Sequence, residues 1–100
     1  MTAERRVTVM NRNGIHARPA AEIVKTAAPF TSHITLSREA VVVNGETMQD
    51  ALEVNGKSIM GVMMLAAECG AVVIVRADGD DAERAVQALA ELIAGHFGES

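Results

Sequence analysis

Of the three histidines in this 100-residue chain, His16 stands in the setting best suited to chemistry. The run Asn13-Gly14-Ile15-His16-Ala17-Arg18-Pro19-Ala20 puts an imidazole where a turn gives way to a helix, with an arginine two residues on. A helix start offers unpaired N–H donors and the positive end of the helix dipole, which together hold an anion such as phosphate. Neutral imidazole is a good nucleophile near physiological pH. A phosphoramidate formed on it would carry charge that Arg18 and the backbone amides of Ala17 and Arg18 could balance. The residues taken alone also fit a plainer role, because a single histidine at a helix start more often serves as a cap or a surface residue. His33 opens a strand and His96 lies near the carboxyl end, and both read as structural. An enzyme using His16 as acid or base is disfavoured, since no carboxylate stands near it in sequence to orient the ring.

Composition narrows the field. One hundred residues, 49% hydrophobic and 22% charged, suit one globular domain with a core of its own. Cys69 is the only cysteine and cannot form an internal disulfide, and Met1 to Arg6 carries no apolar signal segment, so a cytoplasmic protein is expected. The apolar stretch from Met60 to Ala67 is far shorter than the roughly 20 residues of a membrane span. A net charge of −4, no Trp, no Tyr and two Phe offer nucleic acid neither a basic face nor a stacking platform. No residue spacing asks for a metal or a cofactor.

The elements that must position His16 follow from periodicity. Arg6–Met10 alternates as a strand and stops at the turn residues Asn11 to Gly14. From His16 to about Ala28, Ala17, Ala20, Ala21, Ile23, Val24 and Ala27 recur at helical spacing. Pro19 sits in the first turn, where its missing N–H costs nothing, and Pro29 stops the pattern. His33–Ser37 and Ala40–Gly45 predict a hairpin joined at Arg38-Glu39. Ser58 to Ala67 predicts a short helix capped by Ser58 and ended by Gly70. Ala71–Val75 is a strand, Ala77–Asp81 a loop whose aspartates can cap the next helix, and Asp81 to Ala94 is that helix, with one apolar stripe ended by Gly95. The expected fold is therefore α+β, an open-faced two-layer sandwich in the order β-α-β-β-α-β-α, with a four-stranded antiparallel sheet and three helices on one face.

Two motifs in this order, Gly14-Ile15-His16-Ala17-Arg18-Pro19-Ala20 and Asn55-Gly56-Lys57-Ser58-Ile59-Met60-Gly61-Val62-Met63-Met64-Leu65, precede a helix start at Gly79-Asp80-Asp81-Ala82-Glu83-Arg84-Ala85. From Val7 to Ile93 the chain closely resembles the HPr family, the histidine-containing phosphocarriers of the phosphoenolpyruvate-dependent sugar phosphotransferase system. The resemblance implies a cytoplasmic monomer that is a stoichiometric phosphoryl carrier and not an enzyme. His16 would accept a phosphoryl group on Nδ1 from enzyme I, helped by Arg18, and pass it to enzyme IIA-type domains. Ser58 would match the serine that HPr kinase/phosphorylase modifies. A dianion there is tolerated by the helix dipole, yet it sets negative charge beside the docking residues. Ile59, Met60 and Met63 would form the apolar docking patch while Val62 and Leu65 face the sheet. Arg12, Arg18, Lys25 and Lys57 would gather around His16, whereas residues 78–100 hold six acids and one base, Arg84. A rival in the same fold is a regulatory phosphoprotein of an incomplete or nitrogen-related phosphotransferase system, without sugar flux.

One stretch departs from the resemblance. The triplet Val-Asn-Gly occurs at 43–45 and again at 54–56. The family pattern implies a shorter connection here, by about the length of that repeat. An inserted loop around 45–55 is expected within a single 1–100 domain, with Glu46–Glu53 protruding as a loop or short helical turn.

Overall fold

A computed structural model describes residues 1–99. Four strands, β1 (Thr2–Thr8), β2 (His33–Arg38), β5 (Leu52–Asn55) and β6 (Val72–Asp78), form one antiparallel sheet in the order β1-β6-β2-β5. Between β2 and β5 the chain makes a separate two-stranded ribbon, β3 (Val41–Val43) with β4 (Glu46–Gln49). Three helices complete it: α1 (Ala17–Ala27), α2 (Ile59–Met64) and α3 (Ala82–Ala94). α3 lies across β1 and β6, and α1 packs on α2 and α3. This is the open-faced α+β sandwich expected from the sequence.

The sheet is made by alternation. In β2, Ile34 and Leu36 are fully buried, and in β6 Val73, Val75 and Ala77 are, so one sheet face meets the helices and the other faces solvent. α1 closes that layer with Ala20, Ile23 and Ala27, and α3 with Val86, Leu89 and Ile93. β1 runs earlier than the expected Arg6–Met10. Its register with β6, Thr2 opposite Asp78 through Thr8 opposite Val72, recruits Glu4, Arg5 and Arg6 on an edge strand, where charged side chains reach water and mask the periodicity.

The expected hairpin partner of β2 is corrected. Val41–Val43 does not enter the sheet; Leu52–Asn55 does, with Leu36 opposite Val54 and Thr35 opposite Asn55. The two Val-Asn-Gly copies therefore serve different purposes. In the first, Asn44 and Gly45 have φ of 51° and 81°, the positive pair that a two-residue hairpin turn demands. In the second, a Cβ on Gly56 would meet the Ile34 and Leu36 side chains at 2.7 and 2.9 Å, while the Gly56 amide donates to the Ile34 carbonyl at 2.8 Å. Residues 45–55 are accordingly not one loop: their first part completes the ribbon and their last part is sheet.

α2 is shorter than expected, and Gly70 does not end it. The chain leaves the helix at Ala66, a non-glycine residue at φ 48°. Tertiary donors take the carbonyls beyond: buried Arg38 donates from Nε to Leu65 at 2.6 Å, and Ile15 donates from its amide to Ala67 at 2.8 Å. Asp81 begins α3 without a side-chain cap. Its carboxylate instead accepts from the amides and hydroxyls of Thr31 and Ser32, tying the loop after α1 to α3. The carboxyl end, past α3, is an ordered left-handed turn over His96–Gly98 that buries Phe97.

Candidate functional site

His16 occupies the N-cap of α1 in extended backbone, φ −94° and ψ −164°, with 41% of its side chain exposed. Its carbonyl accepts from the Ala20 amide at 3.0 Å, which leaves Ala17 and Arg18 as the first-turn amides without a helical acceptor, since Pro19 has no N–H. The His16 ring makes no capping hydrogen bond to them. A half-exposed imidazole thus stands beside a helix start whose first amides have no helical acceptor.

The loop that delivers His16 is held from below. Buried Ile15 anchors it in the core. Gly14, at φ +65°, lies so close to the Ala67 carbonyl and Glu68 that a Cβ would strike them. Asn11, wholly buried, donates from Nδ2 to the Gly14 carbonyl at 2.7 Å.

Sequence reasoning missed one residue altogether. Glu99 Oε1 lies 3.0 Å from His16 Nε2 and accepts from Asn11 Nδ2 at 2.8 Å, while Oε2 accepts from Arg18 Nη2 at 3.1 Å. Arg18 also donates to the Phe97 carbonyl at 3.0 Å. The carboxyl of Glu99 is held below its usual range, first by the hydrogen bond from His16, then by that from Asn11, with the charges of His16 and Arg18 adding to both. A carboxylate thus does stand by the imidazole, brought from 83 positions away. Asn11 read only as turn chemistry, and nothing in the local pattern around Glu99 signals its role.

The remaining expected residues divide. Ser58 caps α2, its Oγ accepting from the Gly61 amide at 3.1 Å. Ile59, Met60 and Met63 are exposed and Met64 joins them, while Val62 and Leu65 are buried as expected. The basic cluster around His16 does not form as anticipated. Lys25 sits in the last turn of α1, roughly 13 Å from His16 along an axis that rises about 1.5 Å per residue. Lys57 Nζ donates to the Phe30 carbonyl at 2.6 Å, beyond that same far end. Arg12 lies exposed in the turn before the site. Of the four basic residues, Arg18 is the one hydrogen-bonded into the group around His16.

The family model described as the PTS HPr component phosphorylation site matches residues 3–95. This chain belongs to the HPr family. It is 46% identical over 96 residues to the phosphocarrier protein HPr of Xylella fastidiosa, covering 96% of each chain. To that of Neisseria meningitidis it is 41% identical over 93 residues, covering 93% of this chain and 92% of the other. Among solved structures, HPr-C-His from Thermoanaerobacter tengcongensis superposes with a TM-score of 0.78 at 41% identity, covering 98% of both chains. HPr from Bacillus anthracis superposes with a TM-score of 0.73 at 38% identity, covering 92% and 96%. As an HPr the chain is a phosphocarrier of the phosphotransferase system, a protein that carries a phosphoryl group and does not turn over a substrate as an enzyme would.

Proposed function

We propose that His16 is the phosphoryl acceptor, taking the group on Nδ1 from the phosphohistidine of enzyme I and passing it to enzyme IIA-type domains. The observation that carries this reading is the half-exposed imidazole at the open start of α1, with the Arg18 guanidinium in the same hydrogen-bonded group. In transfer the lone pair of Nδ1 forms the new N–P bond as the donor imidazole departs with the electrons of the old one. The metaphosphate-like group between them is stabilised by the amides of Ala17 and Arg18 and by the Arg18 guanidinium. No metal is needed for a step between two imidazoles of similar leaving ability.

Donor and acceptor proteins dock in turn on the exposed apolar surface of α2, Ile59, Met60 and Met63, with Lys25 and Lys57 supplying positive charge at the far end of α1. Unbranched methionine adapts to more than one partner, as a carrier requires. Ser58, at the head of that surface, is the regulatory site for HPr kinase/phosphorylase; a dianion there repels an acidic docking face. The carrier acts as a monomer in the cytoplasm.

Incubation with phosphoenolpyruvate and enzyme I, followed by intact mass, tests the reading. The protein should gain one acid-labile phosphate and His16→Ala should gain none; a labile phosphate surviving that substitution would overturn the site.

A further inference from the structure

We propose that the β3–β4 ribbon is a second docking surface, which takes a basic, extended segment of a protein partner by strand addition. Such a surface goes beyond the phosphocarrier reading and does not rest on it.

The ribbon pairs only with itself. Val41–Val43 and Glu46–Gln49 form a sheet of their own, while β5 takes the place beside β2 in the main sheet. Every residue from Val41 to Met48 is exposed, with Val42 at 57% and Met48 at 63%. Successive β-branched residues suit a strand because they pack well on a pleated surface, yet here no second layer covers them. A two-stranded ribbon is marginal in water by itself, and the positive φ of Asn44 and Gly45 sets its turn in advance. With two strands, each leaves one row of backbone N–H and C=O groups outside the ladder. β3 carries neither a charged side chain nor a proline, the residues that keep an edge from pairing. An edge of that kind accepts an added strand, and main-chain hydrogen bonds then supply the affinity.

Charge selects the class of partner. From Glu39 to Glu53 the chain has four acidic residues and no basic one. Glu39 is engaged with Arg6 at 2.8 Å. Glu46, Asp50 and Glu53 are exposed and, among the described residues, form no ion pair. Nucleic acid and anionic lipid are therefore repelled, and a second copy would bring its own carboxylates against these. A segment that alternates basic and apolar residues fits both features. Its apolar side chains extend the valine rows across the sheet, and its basic ones reach the carboxylates that flank them. The α2 surface has the opposite character, with Lys57 and Ser58 leading into an apolar face. An acidic partner suited to α2 is repelled by the ribbon, so the two surfaces serve different partners.

The test uses the full chain, its backbone amide spectrum and a short synthetic peptide alternating lysine and valine. Two further peptides serve for comparison: one with glutamate in place of lysine, and the lysine peptide with alternate backbone nitrogens methylated, which cannot complete a ladder. The lysine peptide should shift the amides of β3 and β4 and leave those of α2 in place, and salt at about 0.5 M should weaken it about fivefold. Glu46→Gln combined with Asp50→Asn should also weaken it about fivefold, as expected for the loss of two exposed ion pairs. Val42→Lys, which puts a like charge on the edge, should abolish binding. Acceptance of phosphate from enzyme I should be the same with and without the peptide. Equal binding of the glutamate or the methylated peptide overturns the proposal, and so does a lysine peptide that leaves the ribbon amides unmoved. A bound peptide that slows acceptance overturns the separation of the two surfaces. Ribbon amides that shift with protein concentration alone, with a dimer in sedimentation, place a second copy there and overturn the basic partner.

Discussion

The amide of Ile15 donates to the carbonyl of Ala67 at 2.8 Å, fastening the loop that presents His16 to the segment by which the chain leaves α2. The loop that presents His16 and the exit of α2 are therefore tied by a backbone bond.

Gly14→Ala tests that joint. The substitution forces a Cβ into the left-handed region at φ +65° and against the Ala67 carbonyl and the Glu68 backbone. Chemical denaturation should show a loss of about 2–3 kcal/mol, and the folded fraction should accept phosphate more slowly. A variant of full stability would mean that the loop and the α2 exit separate freely.

Arg38→Met removes a buried guanidinium whose Nε caps the Leu65 carbonyl at 2.6 Å and whose Nη1 reaches the Glu39 carbonyl at 3.3 Å. Leaving those acceptors unpaired should cost about 2 kcal/mol, and hydrogen exchange should accelerate first at the amides of α2. Uniform exchange across the protein would show that Arg38 does not support that helix in particular.

Ser58→Asp and Ser58→Ala separate cap from charge. Asp remains a good N-cap, so Ser58→Asp should keep its denaturation midpoint yet accept phosphate from enzyme I more slowly. Ser58→Ala, losing the bond to the Gly61 amide, should lose about 1 kcal/mol of stability with nearly normal transfer. Met60→Glu should resemble Ser58→Asp, because Met60 is 75% exposed and its replacement costs the fold little, under about 0.5 kcal/mol. Unchanged kinetics in both charged variants would remove α2 as the docking surface.

Asp81→Asn probes acid stability. Hydrogen bonds from the Ser32 hydroxyl and the Thr31 amide lead the causes that hold the Asp81 carboxyl far below its ordinary range. A depressed pKa in the folded state means stabilisation that is complete above the unfolded value, about 3.9, and is lost as pH falls through the folded one. Urea midpoints measured from neutral pH down to about pH 2 should therefore fall less steeply for Asp81→Asn than for the unsubstituted protein. Parallel curves would assign acid sensitivity to other carboxylates.

Replacing residues 40–50 with a short turn should leave phosphate acceptance intact. In the ribbon, Val41, Val42, Val43 and Met48 are exposed, and β2 already finds its sheet partner in β5. Shortening the connection changes the closure entropy by under about 1 kcal/mol. Loss of transfer would reveal a part for the ribbon in docking.

Particular residues show how far the chain could be read unaided. The alternation of Ile34 and Leu36 and the helical spacing of Ala20, Ile23 and Ala27 are local, and both led to the right elements. The two Val-Asn-Gly triplets are locally identical, so local pattern could not say which one enters the sheet. The pairing across the folded sheet distinguishes them, with Leu36 opposite Val54 and Thr35 opposite Asn55. The exposed side of α2 was legible because Val62 and Leu65 already claim its buried side. The basic cluster was not, because proximity in sequence to one end of a helix says nothing about which end a charge reaches.

From its order of residues alone this chain specified an α+β sandwich with a histidine heading its first helix, since hydrophobic period, proline and capping chemistry act over a few neighbouring positions. Only the folded molecule decided what surrounds that histidine. Glu99 and Asn11 are 83 and 5 positions from His16, and burial of Phe97 in the shared core, which no short-range pattern encodes, is what brings the carboxylate to the ring.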